Sequence, residues 1–137
     1  MISIGIDPAR EFGVAIYDQK IGIIKSYAFK FISLNDLEKL IKYEIDLRKP
    51  DIIILAQAAG KFTKCIWQHG KYSGVIENLC QKKDVQYLEL FDNVMRKAVH
   101  GTGKMTKQEV MTATGVDNDN IADAITASKY IDYLDKN

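Results

Sequence analysis

Pro50-Asp51-Ile52-Ile53-Ile54-Leu55-Ala56-Gln57 holds five apolar residues in unbroken succession. A strand with one wet face alternates apolar and polar residues. A continuous run belongs instead to a central strand buried on both faces, as in sheets covered by helices on either side. Pro50 marks the start, because it lacks the N–H that a ladder requires. The chain on either side of this strand should therefore supply helices as well as further strands.

Upstream, Ser33-Leu34-Asn35-Asp36 reads as a helix N-cap with an acid three residues later. Leu37, Leu40, Ile41 and Ile45 then repeat at helical spacing. Earlier still, Ile2-Ser3-Ile4-Gly5-Ile6 alternates and ends at Asp7, just before Pro8. Phe12 to Tyr17 and Gly22 to Phe29 read as two more strands, and the short polar link Asp18-Gln19-Lys20 predicts an antiparallel hairpin. Downstream, a long helix is predicted from Phe62 to Lys82, with Ile66, Val75, Ile76 and Leu79 on its apolar positions. Val85 to Leu90 is a fifth strand, followed by a short helix over Asn93 to Val99 and the loop His100-Gly101-Thr102-Gly103. Helices over Thr106 to Thr114 and Asn118 to Leu134 close the chain.

Three strands, then helix, strand, helix, strand and helices make an α/β domain with a mixed five-stranded sheet. The first three strands are antiparallel, and the fourth and fifth are joined by crossovers as parallel neighbours. The 137 residues fit one domain without repeats or linkers. With 47% hydrophobic and 27% charged residues, neither disorder nor a membrane span is expected. No signal peptide is visible at Met1 to Asp7. Cys65 and Cys80 read as two reduced thiols of a cytosolic protein rather than a disulfide or metal framework.

Net charge is only +1, but it is unevenly spread. Lys61 to Glu109 contains nine Lys or Arg against five acids, while the stretch from Asp117 onward leans acidic. Such a division suits a phosphate-binding face beside a metal site, and suits ordinary solvated surface equally. Asp7 stands at a strand end, where open α/β sheets place their ligands, and the end of the fourth strand should lie beside it. Asp117, Asp119 and Asp123 gather at the start of the last helix, and Asn120 and Asp123 share one of its faces. Carboxylates collected from separate elements are what hard cations such as Mg²⁺ or Mn²⁺ require. Acids at a helix start also simply complement the macrodipole, the preferred reading for Asp119 alone.

Taken in order, these stretches resemble the RuvC family of Holliday junction resolvases, of the ribonuclease H superfamily, in a shortened phage-type form. Ile4-Gly5-Ile6-Asp7-Pro8 resembles the family's first strand and first catalytic Asp. Pro50 to Gln57 resembles the strand that ends in a catalytic Glu followed by Gln, and Gly70 and Gly74 fall where the next helix carries a glycine pair. Arg96 to Lys107 resembles the basic segment, glycine loop and essential lysine. Asn120-Ile121-Ala122-Asp123-Ala124-Ile125 resembles the closing motif with its two Asp residues three apart.

The resemblance implies a homodimeric endonuclease that resolves four-way junctions and other branched DNA with two Mg²⁺ or Mn²⁺ ions per site. It implies catalytic positions at Asp7, 56, Lys107, 120 and Asp123, with the metals held at Asp7, Asn120 and Asp123. Lys61, Phe62, Lys64, Arg96, Lys97, Lys104 and Lys107 become the DNA-contacting candidates. Phe62 is open between stacking on a base at the junction and a core or dimer contact, and Trp67 is read as the latter. The helix from Phe62 to Lys82 is the implied dimer interface. Location in the cytoplasm of a bacterial cell, and no membrane or small-molecule cofactor, complete the expectation.

Two positions depart from the family pattern. Ala56 stands where the Glu belongs, and Asn120 stands where the first Asp of the closing motif belongs. Alanine offers no ligand atom, and an amide oxygen is a poorer ligand than a carboxylate. A register shifted by one would put the equally neutral Gln57 at the site. By this reading only Asp7 and Asp123 of four carboxylates remain, and the chain is either disarmed by substitution or a natural homologue that binds without cutting. A YqgF-type RNA-processing nuclease and a non-cleaving branched-DNA-binding module are the rival functions. A small-molecule α/β enzyme is disfavoured, since no Gly-x-Gly-x-x-Gly or Walker motif follows a strand.

Overall fold

The computed structural model describes residues 1–9, 11–30, 33–57 and 63–134, with backbone alone for 63–67. Five strands, β1 (Ile2–Asp7), β2 (Phe12–Asp18), β3 (Gly22–Phe29), β4 (Ile52–Gln57) and β5 (Gln86–Phe91), form one sheet in the order β3-β2-β1-β4-β5. β1 and β3 each pair with β2 antiparallel, while β1–β4 and β4–β5 are parallel. The helices are α1 (Leu34–Arg48), α2 (Thr63–Lys83), α3 (Asp92–His100), α4 (Lys107–Thr114), α5 (Asp119–Lys129) and the single turn α6 (Ile131–Leu134). The mixed five-stranded sheet and the element order match the expectation.

The apolar run of β4 is buried on both sides, and alternation divides it. Ile53 and Leu55 join Ile4, Ile6, Val14 and Ile16 beneath Leu37, Ile41 and Ile45 of α1 and Ile76 and Leu79 of α2. Ile52, Ile54 and Ala56 face the opposite way, toward Ala127 and Ile131. Each fully buried Ile or Leu contributes roughly 1.5–3 kcal/mol, so a double-sided strand of this kind anchors the domain.

α5 lies unusually close to the sheet. A Cβ on Gly5 would stand 2.1 Å from the Ala124 carbonyl oxygen, and one on Gly13 would stand 1.9 Å from that of Asn120. Only a residue without a side chain admits a helix backbone at that range. Ser3 completes the contact, its Oγ donating to the Ser128 carbonyl at 2.5 Å. This apposition sets Asp123, on the sheet-facing side of α5, near the end of β1.

Where one closing helix over Asn118 to Leu134 was expected, α5 ends at Lys129 and α6 follows. The N–H groups of Tyr130 and Tyr133 donate to carbonyls three residues back, those of Ala127 and Tyr130. That tightening separates the two segments. α1 begins as read: the Ser33 hydroxyl accepts from the Asp36 N–H at 3.3 Å. Among the described residues no helix is long and apolar enough to cross a membrane.

Candidate functional site

The site forms at the carboxyl ends of β1, β4 and β5, under α5. Along β1, Ile4 and Ile6 point toward α1 and α2, so Asp7 takes the α5 face. Ile6 pairs with Leu55, which makes Ala56 the next neighbour of Asp7 on β4. Ala56 lies on the same face as Ile52 and Ile54, and therefore on the same face as Asp7. Gln57 alternates to the other face, so position 56, and not 57, shares the face of Asp7. Ala56 is 1% exposed among apolar neighbours that include Met95. No oxygen enters the site from β4 on this face.

A carboxylate does enter from β5. Leu90 pairs with Ala56, and Asp92 follows two residues on, as the first residue of α3. One carboxylate oxygen each from Asp7, Asp92 and Asp123 lie within 4.8 Å of one another. Asp92 was read in the sequence only as one acid within a basic stretch, and it is the site residue that reading missed. The available signal was its place at the end of a strand parallel and adjacent to β4.

Burial and neighbouring negative charge raise the proton affinity of all three groups. Burial, then the charges of Asp123, Asp92 and Asp119, push the Asp7 carboxyl well above the usual carboxylate range, with Arg96 opposing. Asp92 is pushed up to about 6, by burial first and Asp123 second. Asp123 is raised by burial while its hydrogen bond from Arg96 pulls the other way.

Arg96 is the internal counter-charge. One guanidinium nitrogen donates to both Asp123 oxygens, at 2.9 and 3.1 Å, and another reaches the Met105 carbonyl at 3.4 Å. Both partners are mostly buried, with side chains 15% and 11% exposed. Burial works against the Arg96 charge, but the hydrogen bond and the negative charges around it raise its pKa on balance. Arg96, expected from the sequence as a phosphate contact, thus turns inward here and also ties α3 to the loop that leads into α4.

The remaining candidates ring this centre. Lys107 opens α4, behind a capping box made by Thr106 and Glu109, and its Nζ lies 3.3 Å from Asp119 Oδ2. It is largely exposed, and its charge reaches Asp123. Lys97 and Lys104 are exposed. Asn120 lies in the first turn of α5, one turn before Asp123, with its carbonyl against Gly13. Asn118 caps that helix by accepting from the Ile121 N–H and donates to Glu11 at 2.9 Å. Lys61 and Phe62 lie outside the described residues, as do the side chains of Lys64 and Trp67.

The donor set fits a divalent cation of the hard, oxygen-loving kind. Three carboxylates converge from three elements, and among the described residues the buried Asp92 Oδ1 has no hydrogen-bond partner. An oxygen left in that state is costly unless something positive completes it.

Neither a protein-family model nor a curated protein matches the sequence. Solved structures do match the fold. A structure of Thermus thermophilus RuvC superposes with a TM-score of 0.81 at 13% identity, covering 99% of this chain and 96% of that one. Thermus thermophilus RuvC in complex with Holliday junction substrate gives 0.77 at 13% identity, covering 98% and 97%. The fowlpox virus Holliday junction resolvase gives 0.55 at 15% identity, with 99% of each chain covered. Together with the strand order β3-β2-β1-β4-β5 and the placement of Asp7 and Asp123, this likeness shows that the chain has the RuvC-like form of the ribonuclease H fold.

Proposed function

We propose that this protein is a structure-selective endonuclease that binds four-way junctions and related branched DNA and hydrolyses their phosphodiester backbone with divalent metal ions. In its present form it is catalytically impaired, because Ala56 and Asn120 replace two carboxylates of the intact set. The observation that carries this reading is the convergence of Asp7 and Asp123 at the strand ends of a RuvC-like sheet, with Lys107 on the rim. Two of the structural neighbours support the substrate class: Thermus thermophilus RuvC and fowlpox virus resolvase are both described with Holliday junction DNA.

Magnesium or manganese, two ions in the intact carboxylate set, would supply an activated water and neutralise charge on the phosphate and the leaving 3′ oxygen. Asp7 and Asp123 would hold such ions, with the weaker amide of Asn120 as a further ligand. Arg96 positions Asp123 and favours its charged form against the burial that opposes it. Lys107 is near enough to the carboxylates to meet a scissile phosphate between them. Exposed Lys97 and Lys104 would contact flanking phosphates, which adds affinity and salt dependence without sequence preference. A two-fold homodimer pairing its α2 helices would present two such sites to a symmetric junction. Gly70 and Gly74 keep part of that helix surface open, since a Cβ at either would meet no described atom within 4 Å.

A second reading has its own observation. Ala56 is enclosed by apolar side chains, which suits a branched-DNA-binding module that never cuts. Both readings share the substrate, so binding is tested first. A labelled four-way junction, a fork and a plain duplex of equal length are titrated with the protein at one salt concentration. Binding of the junction about 10³-fold tighter than the duplex is expected, the lower end of specific discrimination. Equal affinity for junction and duplex would remove the proposed substrate class.

A further inference from the structure

We propose that Asp92 has taken over the metal-binding place that position 56 leaves without a carboxylate, so that the ligand comes from the end of β5 instead of the end of β4. This inference rests on the metal-site reading above and names the residue that completes the site in this particular chain.

Three observations converge on it. The first is register. Position 56 is flanked by Asp7 on β1 and by Leu90 on β5, and Asp92 emerges just beyond Leu90. A carboxylate there enters from the strand next to β4. The second is convergence: Asp92, Asp7 and Asp123 bring oxygens within 4.8 Å of each other, although they come from three elements far apart in the chain. The third is the state of Asp92 itself. Among the described residues its buried Oδ1 has no hydrogen-bond partner, and the Arg96 guanidinium donates to Asp123.

A bland alternative exists, since an acid in the first turn of a helix complements its dipole. That role asks only that a carboxylate stand near free N–H groups. It does not account for the convergence of Asp92 with two other carboxylates from separate elements. A divalent cation would give the Asp92 carboxylate the partner that its Oδ1 lacks among the described residues.

The test uses Mn²⁺ alone, without DNA, measured by titration calorimetry and by the electron paramagnetic resonance of free Mn²⁺. The proteins are the unmodified chain, Asp92→Asn, Asp92→Ser, Asp7→Asn as a marker for the site as a whole, and Asp117→Asn as a control for net charge. Circular dichroism confirms that each is folded. Loss of at least about tenfold in Mn²⁺ affinity is expected for both Asp92 variants and for Asp7→Asn, with Asp117→Asn unchanged. The relocation variant Ala56→Glu with Asp92→Ala should recover binding, because it returns the carboxylate to β4. If the folded Asp92 variants keep the affinity of the unmodified chain while Asp7→Asn loses it, the role of Asp92 is overturned and the metal site stands. Absence of Mn²⁺ binding by the unmodified chain overturns both.

Discussion

Ala56→Glu combined with Asn120→Asp should raise the single-turnover rate of four-way-junction cleavage by about 10³-fold, because metal ligation supplies several kcal/mol of transition-state stabilisation. The sheet explains why position 56 should matter. It adjoins Asp7 on the parallel neighbour strand and shares its face, so a Glu there points toward the same cations. Position 120 is one helical turn before Asp123, and changing an amide to a carboxylate there turns a weak ligand into a strong one. The gain has a structural cost. A Glu at 56 must pass Ile52, Ile54 and Met95, and overpacking of this sort typically costs about 1–3 kcal/mol. The double variant should therefore unfold at lower urea than the unmodified chain in the absence of metal and recover with Mn²⁺. Single-turnover assays with a labelled junction check the rate, and urea unfolding checks the cost. A rate unchanged by the pair would favour the binding-module reading.

The second large effect concerns Arg96. Arg96→Met leaves three clustered carboxylates without their buried counter-charge, and breaking a buried pair typically costs about 3–5 kcal/mol. The loss should depend on pH with a definite sign. Asp7, Asp92 and Asp123 all have raised pKa values in the folded protein, so the fold holds more protons than the unfolded chain between the ordinary aspartate value of about 4 and the folded values. Their contribution to stability is fully present below that lower limit and is lost as pH rises through the folded values, about 6 for Asp92. Arg96 opposes the upward shift at all three groups. Its removal should hurt most at pH 8 and least near pH 5, and Mn²⁺ should narrow the gap at pH 8. Urea unfolding of both proteins at the two pH values, with and without Mn²⁺, reads this directly. A gap independent of pH would mean that Arg96 acts through packing alone.

Much of this architecture is legible in the residues themselves. Ile52 to Ala56 reads as a strand buried on both faces, and the polar link at Asp18 to Lys20 as a turn between antiparallel strands. Given those, the mixed sheet follows. Asp7 was readable because it closes a strand, and Asp123 because it shares a helix face with Asn120 at the start of the last helix. Asp92 was passed over although it too follows a strand, because it stands in a basic stretch. Its meaning comes from the pairing of Leu90 with Ala56, a contact between strands that the long helix α2 separates in sequence. The inward turn of Arg96 was hidden for a related reason. A cation in a basic stretch reads as a phosphate contact until three carboxylates from elsewhere arrive beside it, whereas its neighbour Lys97 remains exposed.

The central claim is that junction cutting depends on cations held by the carboxylates at the ends of β1 and β5 and on α5. The most direct measurement is cleavage of a labelled four-way junction and a matched duplex, with Mg²⁺ or Mn²⁺, by the Ala56→Glu, Asn120→Asp protein and by the same protein carrying Asp7→Asn. Metal-dependent cutting of the junction alone, lost with Asp7→Asn while junction binding persists, is the expected result. Cutting that survives Asp7→Asn, or that treats duplex and junction alike, would contradict it.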